Sequence, residues 1–219
     1  MGLTASERGS SQEPFAMVPE GQYIARCYRI LDLGTQTTTG QFGTKEQHKV
    51  MISWELLDDK VFMEDGRPFA ISQFYTVSLH EKAKLRADLE SWRGRKFTIE
   101  ELTAFDLAGV LGAYCQIQVV HDETGKYANV QTIMAYKGDK PKAVNPDTVF
   151  NLDEPDMAVF DKLSDNMKLK ITSTPEWAAL QAKQQKTEAG GFSDEDYRSL
   201  SDGLAADGLS QEELDSIPF

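Results

Sequence analysis

The chain has 219 residues, 40% of them hydrophobic and 26% charged, with a formal net charge of −12 and two cysteines. This content is sufficient for a packed core, whereas no apolar run reaches the roughly 18 residues that a membrane-spanning helix requires. Residues 1–20 lack the apolar stretch of a secretory signal, so we expect a flexible leader and a cytoplasmic protein. Cys27 and Cys115 lie far apart in apolar sequence, which predicts two reduced thiols.

The negative charge is distributed unevenly along the chain. Residues 21–140 contain 15 Lys and Arg against 16 Asp and Glu, whereas residues 141–219 contain 7 against 16. The region 21–140 is therefore almost neutral, and clusters of basic residues can form within it. For this reason the acidic overall charge does not exclude nucleic-acid binding.

Three strands are predicted before the first helix. The segment 22–33 is rich in aromatic and branched residues on both faces, as in a long first strand of a small barrel. The Thr- and Gly-rich segment 34–47 is predicted to be a loop. The segments 48–57 and 69–78 alternate with period two, so we expect one face of each strand to contact the core.

A helix and a hairpin follow these strands. Apolar residues recur at helical spacing over 79–92. Thr98, with Glu101 three residues later, predicts a capping box at the start of a second, short helix. The segments 113–120 and 126–135, joined by a short polar loop, are predicted to pair as a hairpin.

Three strands, one helix and two strands are the order found in the five-stranded oligonucleotide/oligosaccharide-binding (OB) barrel. Periodicity alone indicates only a small barrel or sandwich. From the order of the elements we predict a mainly β fold, with an OB-type barrel over residues 21–136 and a helix between strands 3 and 4.

The remainder of the chain differs in composition. Residues 137–181 include three prolines before residue 156 and two stretches with helical spacing. They are predicted to form a linker with short helices that either packs on the barrel or stands alone. Residues 182–219 are predicted to be a disordered acidic tail, because eight acidic residues after Ala189 face a single basic residue, Arg198.

The tail ends in an apolar plug beside carboxylates, formed by Asp215, Ser216, Ile217, Pro218 and Phe219. This end resembles the C-terminal tip of bacterial single-stranded DNA-binding proteins, in which an acidic stretch ending in Ile-Pro-Phe docks on exonucleases, helicases, primase and clamp-loader subunits. The resemblance implies that the tip recruits host or phage DNA-processing enzymes. Ser216 stands where the family usually has an acidic residue, which implies weaker docking.

A barrel that binds single-stranded DNA needs cations for the phosphates and flat side chains for the bases. The candidate DNA contacts are Arg26, Tyr28, Arg29, Phe42, Lys45, Lys49, Trp54, Arg93, Arg95 and Lys96. Taken singly, each aromatic residue is more often a core residue, as for Trp54, whose strand-mates are apolar, and for Phe74. The basic cluster at 93–96 could equally be a solvated helix terminus whose cations suit the helix dipole.

Catalytic and metal-binding patterns are not found in the sequence. His48, His80 and His121 lie in different predicted elements, with no Cys or carboxylate at the spacing of metal ligands. Neither a phosphate-binding loop nor a nucleophile elbow is present. We therefore predict no metal, no cofactor and no enzymatic activity.

Together these patterns predict a protein that binds and protects single-stranded DNA during replication, recombination and repair, and that recruits enzymes through its tip. The alternative is a decoy that captures host enzymes with the same tip and does not bind DNA. The basic and aromatic clusters within 21–97 favour the first function. Overall resemblance to phage replication-module proteins implies a phage protein in the bacterial cytoplasm, and a homo-oligomer is possible.

Overall fold

The computed structural model describes residues 17–40, 43–58 and 61–189, with side chains described as far as residue 183. The strands within these ranges are β1 (Gly21–Gly40), β2 (Gly43–Leu56), β3 (Ala70–Thr76), β4 (Tyr114–His121), β5 (Ala128–Ala135) and β6 (Thr148–Phe150). The helices are α1 (Lys84–Arg93), α2 (Ile99–Thr103), α3 (Met157–Asp161), α4 (Asp165–Thr172) and α5 (Pro175–Ala189), with a 3-10 turn at Leu107–Val110. The predicted mainly β fold is confirmed.

The strands form one sheet in the order β3-β2-β1-β4-β5, with neighbouring strands antiparallel. The short strand β6 pairs with β1 in parallel at residues 29–31. In the described part of the chain no ladder joins β3 to β5, although their Cα atoms approach within 8 Å. The sheet is thus open at one seam, and the predicted closed five-stranded barrel is not confirmed.

Helix α1 connects the two edges of this seam. The hydroxyl of Tyr75 on β3 donates a hydrogen bond of 2.8 Å to Asp88, and Ser91 Oγ donates one of 2.5 Å to the carbonyl of Ile133 on β5. The helix begins five residues later than predicted and ends at Arg93, where Gly94 caps it with a positive φ of 66° that suits glycine. Its buried residues Leu85, Leu89 and Trp92 belong to the largest cluster of buried apolar residues, which we call the main core. In this core the ring centres of Trp54 and Trp92 lie 5.7 Å apart.

The predicted loop at 34–47 is instead mostly a two-stranded hairpin. Residues 34–40 of β1 pair in continuous register with residues 43–49 of β2, beyond the end of β4. β-Branched threonine favours extended backbone, and the two segments satisfy each other's backbone hydrogen bonds. We call residues 34–40 and 43–49 the arm.

Residues 141–174 do not form a linker but belong to the same compact unit as the sheet. The buried apolar residues of this segment lie outside the main core, and they are Phe150, Leu152, Phe160, Leu163 and Ile171. Leu31 and Met51 are buried on the same side of β1 and β2, outside the main core. As far as residue 174, the segment is part of the unit that contains the sheet.

Helix α5 lies in a second compact unit that begins at Pro175. Proline at its first position agrees with the predicted helix start. The helix continues to Ala189, so the segment predicted to be disordered from residue 182 onwards is helical over its first eight residues. Residues 190–219, with the predicted docking tip at 215–219, lie outside the described residues.

A buried ion pair fixes the path of residues 144–147 across the sheet. Glu55 on β2 is fully buried and accepts a hydrogen bond of 2.9 Å from Arg26 Nη1 on β1. Its other oxygen accepts hydrogen bonds from the backbone N–H and the side-chain amide of Asn145, at 2.7 and 2.8 Å. Arg26 is also paired with Asp147. A carboxylate without exposure is stable only when several donors surround it, so these contacts hold the segment in place.

We expect the substitution Glu55→Ala to reduce the free energy of unfolding by about 3 to 5 kcal/mol, because it leaves the buried charge of Arg26 without its main partner. The exposed carboxylate of Glu46 on the same strand provides the control, and Glu46→Ala should change stability by less than about 0.5 kcal/mol. Urea denaturation measures both. Equal losses in the two variants would contradict the assigned role of Glu55.

Candidate nucleic-acid interface

The register of β1, β2 and β3 defines an outer face, since directly paired residues on neighbouring antiparallel strands lie on the same side of the sheet. Its rows are Arg26, Glu55 and Ala70; Arg29, Ser53 and Ser72; Leu31, Met51 and Phe74; and Gly34, Lys49 and Thr76. The opposite rows include Cys27, Trp54 and Ile71, which belong to the main core. The outer face is therefore the side of the sheet that can meet a ligand.

Among the described residues, the outer face is open at its β3 half and covered at its β1 half. At the β1 side, Arg26 and Leu31 are buried. At the β3 side, the side chain of Phe74 is 47% exposed. Its neighbours on the same face of β3, Ser72 and Thr76, are polar. An aromatic ring on an open polar strand face is a suitable platform for stacking a base.

Two grooves meet at Phe74 and Lys49. The first, of about 390 Å³, lies between β3 and the start of α1, and we call it the helix groove; its polar and charged lining residues include Gln47, Thr76, Ser78, His80, Lys82 and Lys84. The second, of about 240 Å³, lies between the arm and α4, and we call it the arm groove; its other lining residues are Leu33, Gln36, Thr37, Thr38 and Lys170. Neither set of described lining residues includes a carboxylate.

Three of the four groove lysines have no carboxylate partner among the described residues. Lys49 Nζ donates hydrogen bonds to two neutral oxygens, Gln47 Oε1 at 2.8 Å and Thr76 Oγ1 at 2.7 Å. Lys84 is paired with Asp88 at 2.8 Å. Considering only described residues, Lys49, Lys82 and Lys170 have no ion pair with a carboxylate. In water such lysines give the grooves a local positive potential despite the net charge of −12.

The arm extends this arrangement, because its two sides differ in charge. Side chains that continue the outer face come from Gln36, Thr38, Lys45, Gln47 and Lys49, whereas Glu46 lies on the opposite side with Thr37 and His48. Lys45 is exposed. The side of the arm that adjoins Phe74 is thus basic and rich in hydrogen-bonding groups, as a phosphate backbone requires.

Two predicted DNA contacts are wrong in view of their burial. Trp54 has no exposed surface and packs in the main core, so it cannot stack on a base. Arg26 is buried, and its guanidinium donates to Glu55, Asp147 and the carbonyl of Asn145. Burial disfavours the charged form of Arg26, but the hydrogen bond to Glu55 and the charge of Asp147 outweigh it and raise its pKa.

The remaining predicted contacts on β1 and in the arm have different positions. Arg29 lies on the outer face beside Ser53, and its guanidinium carbon is 5.4 Å from the centre of the Tyr28 ring. Both residues are half-buried, and Arg29 Nε is buried without a hydrogen-bond partner among the described residues. Phe42, which lies between the two segments of the arm in the sequence, is outside the described residues. Arg29, Tyr28, Lys45 and Lys49 remain candidates.

The cluster at 93–96 is engaged in local contacts. Arg93 and Arg95 both pair with Glu101, whose side chain also completes the predicted capping box with Thr98. Arg93 additionally stacks on Phe97 and Phe105. Its guanidinium carbon lies 4.6 Å from the ring centre of Phe97 and 5.0 Å from that of Phe105. Lys96 is exposed. The interpretation as a helix-end cluster therefore describes Arg93 and Arg95 better than a role in DNA binding.

Sequence reasoning assigned Phe74 to the core and did not select Lys82 or Lys170. A signal for Phe74 was present, because its strand face consists otherwise of Ala70, Ser72 and Thr76. For Lys170 no local signal exists, since its position depends on how residues 141–174 pack on the sheet.

The comparisons with known proteins identify no family, because no protein-family model and no curated protein matches the sequence. In the described ranges no helix combines the length and the apolar character needed to cross a bilayer. The same ranges contain no group of three His, Cys, Asp or Glu side chains arranged for a metal ion. The argument for function therefore depends on the outer face and its grooves.

The Glu101 cluster predicts a pH dependence of stability. Hydrogen bonds from Arg95 and from the backbone of Thr98 lower the pKa of Glu101 from 4.5 to about 2. Because this pKa is depressed in the folded state, the stabilisation is present above the unfolded value and is lost as the pH falls towards 2. Glu101→Gln should therefore destabilise the protein at neutral pH, and the difference from the unsubstituted protein should disappear near pH 2.

Thermal unfolding between about pH 7 and pH 2 measures this difference. Glu81→Gln, an exposed substitution outside the cluster, is the control. A constant effect of Glu101→Gln across this range would show that the ion pairs do not supply the stabilisation.

Proposed function

We propose that the protein binds single-stranded DNA on the open half of its outer face. The observation that carries the proposal is the exposed ring of Phe74 between two grooves that are lined by lysines and by no described carboxylate. Lysines attract the phosphates through electrostatic interactions that do not depend on sequence. Stacking on Phe74 requires a base that is not stacked in a duplex, so it selects single strands.

The topology supports an OB-type barrel as the frame for this site. The OB fold is a partly open barrel, and the open seam between β3 and β5 with α1 beside it is compatible with that description. In the family that the tail resembles, nucleic acid crosses the face built from strands two and three. In this chain Lys49 lies on the second strand and Phe74 on the third.

The proposed role in the cell is that of a non-enzymatic accessory protein of replication, recombination or repair. Bound protein would protect the strand and prevent hairpin formation, while the sequence at 215–219 recruits DNA-processing enzymes. A phage protein acting in the bacterial cytoplasm fits this role. The decoy alternative gives the tail the same partners but assigns no ligand to the grooves, so it accounts for fewer of the observations.

Phe74→Ala tests the stacking contact. We expect a loss of about 1 to 3 kcal/mol, which is a 5- to 150-fold increase in Kd, because one stacked base loses its platform. Fluorescence anisotropy of a labelled oligo-dT of about 30 nucleotides, with duplex DNA as competitor, measures the affinity. Phe74→Tyr should bind nearly as well as the unsubstituted protein.

The control for this experiment is Phe62→Ala, since Phe62 is also exposed, at 39%, but lines neither groove. If both alanine variants bind like the unsubstituted protein, Phe74 does not stack on DNA. If the unsubstituted protein does not bind oligo-dT at either low or moderate salt, the proposed function is wrong and the decoy role gains support.

Deletion of residues 211–219 tests whether the acidic tail competes with DNA. This deletion removes three carboxylates, Glu212, Glu213 and Asp215. Because the tail belongs to the same chain as the basic grooves, its carboxylates compete with DNA at high effective concentration. We expect tighter DNA binding, most clearly at low salt, where charge interactions are least screened. Unchanged affinity at low salt would exclude this competition.

A further inference from the structure

Helix α4 lies next to the arm. One buried side chain and one hydrogen bond from the arm hold it there. Ile171 is fully buried, and Gln36 Nε2 on the arm donates a hydrogen bond of 2.9 Å to the carbonyl of Lys170. The same amide nitrogen lies 2.7 Å from the carbonyl of Leu33. The backbone at Lys170 is therefore fixed relative to β1, although Gln36 and Lys170 are 134 residues apart in the sequence.

This arrangement directs Lys170 into the arm groove. The side chain is half-buried and lines the groove with Phe74 and Lys49. A half-buried lysine places its methylene groups along apolar surface and keeps its ammonium group in water. Lys170 is one of the three groove lysines without a described carboxylate partner, so its charge is available to a ligand.

The two grooves each bring cations next to Phe74, which lines both of them. Lys82 lies in the helix groove, Lys170 lies in the arm groove, and Lys49 is shared by both. A strand whose base stacks on Phe74 has one phosphate on each side of that base. The positions of Lys82 and Lys170 suit the two phosphates, with Lys49 between them.

We propose that α4 forms one wall of the DNA-binding site and that Lys170 contacts a phosphate of the bound strand. The inference rests on the proposed function and adds to it a path, from the helix groove across Phe74 into the arm groove. Residues 141–174, which we call the covering segment, have a second effect in this arrangement. They block the β1 end of the outer face at Arg26 and Leu31, and so confine the strand to the β3 half.

An exposed lysine outside the grooves provides a control for Lys170. Lys162, at the end of α3, belongs to the same covering segment but is exposed and lines neither groove. Removing either lysine changes the net charge equally. The two substitutions therefore separate a local phosphate contact from a general change in charge.

The experiment compares Lys170→Ala with Lys162→Ala in the full chain, by anisotropy of oligo-dT over a series of salt concentrations. Each phosphate contact to a single strand contributes about 0.7 to the slope of log K against log salt concentration. We expect the slope of Lys170→Ala to be shallower by about 0.7 and that of Lys162→Ala to be unchanged. Lys170→Arg should restore the slope, and unfolding temperatures should verify that both alanine variants fold.

The possible outcomes separate this inference from the function on which it rests. If the unsubstituted protein binds and Phe74→Ala weakens binding, but Lys170→Ala and Lys162→Ala have equal slopes, α4 is not part of the site. If the unsubstituted protein does not bind oligo-dT, the proposed function and the inference are both overturned. A selective slope change at Lys170 establishes the contact.

Discussion

The buried ion pair of Arg26 and Glu55 is the constraint on which the rest of the structure depends. An unpaired carboxylate at this depth would cost several kcal/mol, so Glu55 must be surrounded by donors. Arg26 supplies one, and the amides of Asn145 supply two more. Because the three residues come from β1, β2 and the segment between β5 and β6, satisfying one charge fixes the relative position of three parts of the chain. The open and the covered halves of the outer face follow from that position.

The charge of the two grooves depends on where the charged side chains lie and not on the net charge of the chain. The chain carries a net charge of −12, yet the described residues that line the two grooves include no carboxylate. Strand register separates the signs within the arm, since Lys45 and Glu46 are consecutive and point to opposite sides. Many of the remaining carboxylates belong to the acidic tail. A protein of this composition can present a basic surface wherever register and packing direct its acids elsewhere.

The sequence was informative about local structure and less so about the site. The capping box of Thr98 and Glu101 and the alternation of β3 depend on nearby residues, and both were predicted. Alternation separates the two faces of a strand but does not say which one is covered. Trp54 is a core residue, as its apolar strand-mates indicate, and not a DNA contact, whereas Phe74, predicted to be a core residue, is exposed. No local pattern reveals that Arg26 is engaged, because its carboxylate partners lie 29 and 121 residues away. Lys170 joins the site only through packing that no local pattern encodes.

The seam between β3 and β5 has a consequence for self-association. Edge strands with free backbone groups are templates for pairing with other chains, which leads to aggregation. Here the two edges approach within 8 Å of each other, and α1 bonds to residues of both strands. An incoming strand would have to displace the helix, and with it the buried side chains of Leu89 and Trp92, before it could pair. The helix thus protects the open sheet from edge-to-edge growth, a role that a fully closed barrel would not need.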